Sequence, residues 1–326
     1  MDLALRRERA RCDRMGYYFS LIQFVGTALN RPEDARDVVR RVGHRLRITD
    51  QLGWLPQGNL ALLLSDASRA GAKRLADELQ QNLQGLPIEI RMRVSTYPEP
   101  MGNSSADNGA PEVEANNSSH SMLILFARPV PWWKRALDLF FATTGLVVLL
   151  PLLLLAALLV KLTTPGPALY RQWRAGRGGR PFLMYKFRTM VDGAESLQAS
   201  LRSRNEQDGP AFKIRQDPRI TRVGAILRRL CIDELPQIWN VLRGDMSIVG
   251  PRPLPLAEMQ SSLPWHCERL DVNPGMTCSW QVHKLRPIPF DSWMQMDIRY
   301  ARRLSVIRDL QLIGQTLVFI LRLGNT

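Results

Sequence analysis

Apolar and polar positions alternate with two different periods over the first hundred residues. Residues 17–26, YYFSLIQFVG, are rich in aromatic and β-branched side chains and predict a buried strand. Residues 33–47 follow with Val38, Val39, Val42 and Leu46 at helical spacing. Short strands are predicted around Gln51–Leu55 and Leu60–Ser65, with PQGN (Pro56 to Asn59) as the turn between them. Ser68 is a candidate cap for a helix with Leu75, Leu79 and Leu83 on one face. Residues 88–97 alternate and predict a last strand. The resulting order, β-α-β-β-α-β, is that of a ferredoxin-like split unit.

The pattern then stops. Residues 98–121 are polar and low in complexity, a composition that buries too little apolar surface to order itself. Their N-x-S sequons at Asn103 and Asn117 read as accidental. The short run Met122 to Ala127, MLILFA, reads as a strand returning to the first sheet, which would extend that domain from residues 1–98 to about 128; otherwise the domain ends near Pro98. Trp132 and Trp133 suit a membrane interface. They lead into Leu139–Val160, LFFATTGLVVLLPLLLLAALLV, which has no charged residue and is long enough to cross a bilayer. Pro151 sits near its middle, where it removes an N–H and crowds the preceding turn. Lys134 and Arg135 precede the stretch, and Lys161, Arg171, Arg174, Arg177 and Arg180 follow it. Basic flanks mark the cytoplasmic side. Two readings stay open on the pattern alone: a kinked transmembrane helix, and a helix hairpin broken at Pro151 that enters and leaves one leaflet.

Composition narrows the partners. A net charge of +14 over 326 residues suits an anionic partner: a membrane surface, a nucleic acid or a phosphorylated substrate. Cys12, Cys231, Cys267 and Cys278 are scattered, so neither a zinc site nor a disulfide framework is expected. The N-terminus MDLALRRERARCDRM has no apolar signal core, so the part before the hydrophobic stretch is expected to stay in the cytosol.

Beyond Thr163 the chain is basic and rich in turns. Residues 171–190 hold six basic side chains and no acidic one, and residues 213–230 hold six more against Asp217. A helix over 219–230 with Ile226 and Leu227 facing inward would carry Arg228 and Arg229 toward the next motif, CIDELPQIWNVLRGDMSIVGPRPL (Cys231 to Leu254). There Leu235, Ile238, Trp239 and Leu242 recur at helical spacing, and Gly244 falls where a C-terminal cap belongs. Asp233 has two readings: an ordinary N-cap, with Glu234 in the first turn, or one of two adjacent carboxylates that bind a divalent metal and attack phosphorus.

Two resemblances add to this. The segment Leu52 to Ser68, LGWLPQGNLALLLSDAS, resembles the catalytic hairpin of diguanylate-cyclase (GGDEF-type) domains, but Leu55, Pro56, Gln57, Gly58 and Asn59 stand where the signature belongs. No carboxylate remains to hold a metal, so the resemblance implies a degenerate domain with a regulatory or assembly role. From Lys134 onward the chain resembles the bacterial sugar transferase family of monotopic phosphoglycosyl transferases. The matching segments are KRALDLFFA (Lys134 to Ala142), the apolar stretch with its proline, and Thr163 to Met190. Then come Asp217 to Pro253, NPGMTCSWQV (Asn273 to Val282) and Phe290 to Ile313.

That resemblance implies transfer of a sugar 1-phosphate from a UDP-sugar to undecaprenyl phosphate, with UMP released, as the first step of exopolysaccharide, capsule or O-antigen assembly. UDP-glucose or UDP-galactose is the expected donor. Asp233 is implied as the nucleophile, Glu234 as the ligand of Mg2+, and Lys186, Arg228, Arg252 and Asp297 as substrate-binding residues. The chain departs from the family pattern at Asn273, Cys278 and His283 to Arg286, which bears on donor identity. The expected fold class is α+β: a ferredoxin-like, degenerate GGDEF-like domain (1–98), a linker (99–121), an interfacial segment with a re-entrant helix broken at Pro151 (129–162), and a mainly helical catalytic domain (163–326).

A soluble nucleotide sugar on one side and no export signal on the other put both soluble parts on the cytoplasmic face of the inner membrane, which favours the hairpin. The expected partners are undecaprenyl phosphate, a UDP-sugar, inner-membrane lipid and, as a homo-oligomer, a second copy of the chain; nucleic acid is not expected. The competing reading is a catalytically inactive, membrane-anchored regulatory scaffold with a nucleotide-sensing N-terminal domain.

Overall fold

The computed structural model describes residues 1–26, 32–55, 58–84, 90–98, 121–214, 216–281 and 288–323. The fold is α+β and divides into two compact units, one ending at Phe126 and the other starting at Ala127. Pro56 and Gln57 of the expected turn, most of the low-complexity stretch, and Val282 to Arg286 lie outside the described residues.

The first unit opens with α1 (Asp2–Met15), closed by Gly16 in the left-handed conformation. Then come β1 (Phe19–Val25), α2 (Pro32–Gly43), β2 (Gln51–Trp54), β3 (Leu60–Ser65), α3 (Arg69–Asn82) and β4 (Arg91–Tyr97). Ser68 caps α3 by accepting from the Gly71 N–H, as its position predicts. The sheet order is β2-β3-β1-β4, and each neighbouring pair is antiparallel. β1 and β3 are buried almost throughout, because both faces of the sheet are covered. Ile22, Phe24, Leu60, Leu62 and Leu64 meet Val38, Val42, Ala72, Ala76 and Leu79 from α2 and α3. The Phe19 and Tyr97 rings lie 5.6 Å apart, and Tyr97 donates to Asp13 of α1 at 2.7 Å.

The run expected as a returning strand is instead a helix, α4 (Ser121–Phe126). Met122, Leu123 and Phe126 are all buried, the i, i+1, i+4 pattern of a helix face, and Phe126 packs edge-on to Tyr97. An apolar run this short does not distinguish the two periods.

The second unit begins with α5 (Trp132–Thr163), an apolar helix long enough to span a membrane, with a mean hydropathy of 2.7 over its most apolar 18 residues. The break expected at Pro151 does not end it: one helix runs through the proline. A missing N–H and a crowded carbonyl kink a helix without stopping it when the flanking turns are packed. Ahead of Pro151, Ala142, Leu146 and Leu149 pack with Phe182, Met184, Ile238 and Val241. Beyond it, Leu153, Ala156 and Val160 pack with Phe187 and Leu227. Phe140, Val147, Val148, Leu154, Leu155, Leu158 and Leu162 face outward, exposed.

The first turn of α5 is fastened by polar groups. Lys134, 2% exposed, donates to Asp309 at 2.7 Å and to the Tyr300 hydroxyl and the Val249 carbonyl at 2.9 Å. Arg135 donates to the Val241 and Leu242 carbonyls, both at 2.7 Å. Asp138 accepts from Ser247 and the Ile248 N–H. Lys134 and Arg135 therefore do not stand as free flanking charges; they are structural.

An antiparallel hairpin follows, β5 (Leu169–Ala175) and β6 (Pro181–Phe187), turning on Gly178 and Gly179 with positive φ. The remaining elements are α6 (Arg222–Arg229), a 3₁₀ turn over Ile232–Gln237, α7 (Ile238–Arg243), β7 (Ser247–Val249) and α8 (Leu256–Gln260). A 3₁₀ turn over Pro264–Asp271, β8 (Gly275–Thr277), α9 (Phe290–Arg302) and α10 (Val306–Leu323) complete the unit. β7 and β8 pair in parallel, with Gly250 and Gly275 in backbone contact, where a Cβ would come 2.0 Å from a neighbouring backbone atom.

Candidate active site

β6 places Lys186 beside the Asp233–Glu234 pair, and α7 fixes that register. Asn240, fully buried, accepts from the Tyr185 N–H at 3.1 Å and donates to the Leu183 carbonyl at 2.8 Å, so the segment carrying the two carboxylates is tied to β6 backbone. The single helix expected from Asp233 onward is two elements. Pro236 has no N–H to close an α-helical bond, and the first turn is 3₁₀ over Ile232–Gln237. Cys231, in the left-handed conformation at φ 57°, occupies the capping position, so Asp233 is not an N-cap. Gly244 closes α7 with φ 90°, as its position predicts.

α6 is shorter than expected and starts at the Thr221 cap, which accepts from the Gly224 N–H at 2.9 Å. Leu227 points inward, but Ile226 is exposed: consecutive helical residues point about 100° apart, and the inward stripe is Val223 and Leu227. Arg228 in the last turn donates to the Thr189 hydroxyl at 2.8 Å. Arg252 comes from the loop after β7. Its carbonyl is held by Arg269, and the following Pro253 carbonyl accepts from Arg174 at 2.9 Å.

These residues meet at one cavity of about 1690 Å³, lined among others by Lys186, Arg228, Asp233, Glu234 and Arg252. The two carboxylates are treated differently. Glu234 Oε1 accepts from Lys186 Nζ and from Arg252, each at 2.9 Å. Burial works to raise its pKa, yet Arg252 and Lys186 outweigh it and hold the carboxyl well below the usual range. Asp233 accepts no hydrogen bond from any described residue, although Lys186, Arg228 and Arg252 surround it. Burial, with the neighbouring Glu234 charge, raises its pKa. Among the described residues, one carboxylate is locked and the other has no hydrogen-bond donor on the cavity wall.

Asp297 is not in that company. It is 1% exposed and takes Arg269 at 2.6 and 3.2 Å, away from the cavity lining. It forms an internal ion pair with Arg269 and also accepts from the Arg252 backbone N–H, so it bears on Arg252 directly as well as through Arg269. Asn240, Thr189 and Arg269 had no signal in the sequence, since each acts on a partner far along the chain. Among the described residues no three carboxylate, histidine or cysteine side chains cluster as a metal site.

Residues 130–323 match the bacterial sugar transferase family, so the chain belongs to it. It is 42% identical over 203 residues to a UDP-glucose:undecaprenyl-phosphate glucose-1-phosphate transferase of Caulobacter vibrioides, covering 59% of this chain and 71% of that protein. It is 36% identical over 201 residues to an undecaprenyl-phosphate galactose phosphotransferase of Salmonella typhimurium, covering 58% and 40%. A galactosyl transferase of Streptococcus agalactiae is 41% identical over 157 residues, 48% of this chain but only about a third (35%) of that relative's length.

Proposed function

We propose that this chain is an inner-membrane phosphoglycosyl transferase that moves a sugar 1-phosphate from a UDP-sugar to undecaprenyl phosphate through a phosphosugar ester of Asp233. The observation that carries the reading is the asymmetry of the carboxylate pair: Glu234 is clamped by Lys186 and Arg252, and Asp233, in the same cationic cavity, takes no hydrogen bond among the described residues. An Asp233 oxygen lone pair attacks the sugar-bearing phosphorus. The bond to the bridging oxygen breaks, and UMP departs with that electron pair. A phosphate oxygen of undecaprenyl phosphate then attacks the same phosphorus and expels Asp233 as a carboxylate. No proton need move in either step. The barrier lies in bringing anions together, which Lys186, Arg228 and Arg252 lower.

Glu234, whose Oε1 takes Lys186 and Arg252, would hold Mg2+ through its second oxygen, a hard donor that suits this ion. When bound, the ion would neutralise diphosphate charge. UDP-glucose or UDP-galactose is the favoured donor, consistent with the names of the relatives. Monotopic seating on the cytoplasmic face is supported by α5, whose two halves on either side of Pro151 both pack on the same unit. A helix crossing the bilayer would carry one half away. For the first unit, the β-α-β-β-α-β order with a β2-β3-β1-β4 antiparallel sheet supports the ferredoxin-like, degenerate GGDEF-like reading and a regulatory or assembly role.

The test is UMP release from a panel of UDP-sugars by the full chain in nanodiscs, with and without undecaprenyl phosphate, beside exchange of labelled UMP into UDP-sugar without lipid. Asp233→Asn should abolish both. Full turnover in that variant would exclude the covalent route, and no release with any donor from folded protein would favour the inactive scaffold.

A further inference from the structure

The cavity that holds Asp233 has two kinds of wall. Lys186, Arg228 and Arg252 make one side cationic. Ile313, Leu317, Phe319 and Ile320 of α10, with Leu169 of β5, make another side apolar. α10 carries no charged residue between Asp309 and Arg322. It is held from three directions: Asp309 by Lys134, Leu312 against Val249 and Tyr300, and Thr316 by the Thr277 hydroxyl at 2.7 Å. The apolar wall is therefore fixed relative to the carboxylates. It is also open, since Leu317 is 58% exposed while lining the cavity. A nucleotide sugar offers nothing to such a wall. An anionic amphiphile fills both, its phosphate on the cations and its chain along the helix.

We infer that α10 forms the subsite for the first isoprene units of the lipid acceptor, with Leu317 at its mouth. This rests on the phosphoglycosyl transferase reading and adds where the acceptor chain lies. Its head is drawn to the cations, and the apolar contact selects a long-chain phosphate over a soluble one.

The test uses the full chain in nanodiscs with Leu317→Gln and Leu317→Met. Acceptors are undecaprenyl phosphate and a phosphate ester of only two isoprene units. Leu317→Gln should raise KM for undecaprenyl phosphate roughly tenfold, the scale of one lost apolar side-chain contact. KM for the UDP-sugar and lipid-independent UMP exchange should stay near wild type, and Leu317→Met should restore the lipid KM. An unchanged lipid KM beside intact exchange overturns this inference alone. So does weakened flotation with empty vesicles at unchanged KM, which would assign the wall to the bilayer. Absence of UMP release with any donor from the unaltered, folded protein overturns the enzyme reading, and the inference falls with it.

Discussion

Asp233 and Asp297 are both buried aspartates, and their neighbours give them opposite roles. Asp233 has cations around it but no hydrogen bond from a described residue, and burial raises its pKa above the ordinary 3.8. As the proposed nucleophile it must be ionised. UMP release should therefore climb with pH through a value above 3.8 and fall as pH drops below it, a profile read from initial rates across pH. Asp297 instead neutralises Arg269 at 1% exposure on both sides. Asp297→Asn should cost about 3–5 kcal/mol in chemical unfolding, the scale for stranding a buried charge. KM for the UDP-sugar should also rise in the folded fraction, because Arg269 holds the Arg252 carbonyl. The family resemblance, rather than spacing, marked Lys186, Arg228, Asp233, Glu234 and Arg252 as a group, and the five line one cavity. Asn240, Thr189 and Arg269 were not legible, because their partners are backbone carbonyls, a backbone N–H or a guanidinium many residues away.

Among elements, the strong periodic ones were legible: β1, β3 and α3 with its Ser68 cap all fall where their patterns put them. α4 was not, since six apolar residues fit either period and only packing on Tyr97 decides between them. The 3₁₀ turn before α7 was hidden for another reason: helical spacing of Leu235, Ile238 and Leu242 says nothing about which hydrogen bonds Pro236 forbids. Close packing between elements sets two expectations. A Cβ on Gly224 would lie 2.0 Å from the Thr189 carbonyl oxygen. Gly224→Ala should cost about 1–3 kcal/mol in thermal unfolding and slow UMP release, because Thr189 holds Arg228. Lys134→Met should destabilise strongly by leaving Asp309 buried without its cation. The double variant Lys134→Met with Asp309→Leu should recover much of the loss in a double-mutant cycle.

At the scale of the whole molecule, one apolar helix is long enough to cross a membrane, and the packing of both its halves on the same unit supports the monotopic proposal. Trp132→Cys and Leu162→Cys, both at exposed positions near the ends of α5, should react with an impermeant thiol reagent from the same side of sealed vesicles. Reaction from opposite sides would make α5 a span. The Lys134–Asp309 pair also carries a consequence in time. Its partners are separated by 175 residues of chain. At about 5–20 residues per second of synthesis, the lysine emerges roughly 9 to 35 seconds before the aspartate that neutralises it. Throughout that interval its ammonium has only Asp138, one turn on in the same helix, as a carboxylate neighbour, and it stays hydrated. The nascent helix is thereby held by its first turn at the water's edge while the rest of the protein is made, and the clasp closes only when the last helix arrives.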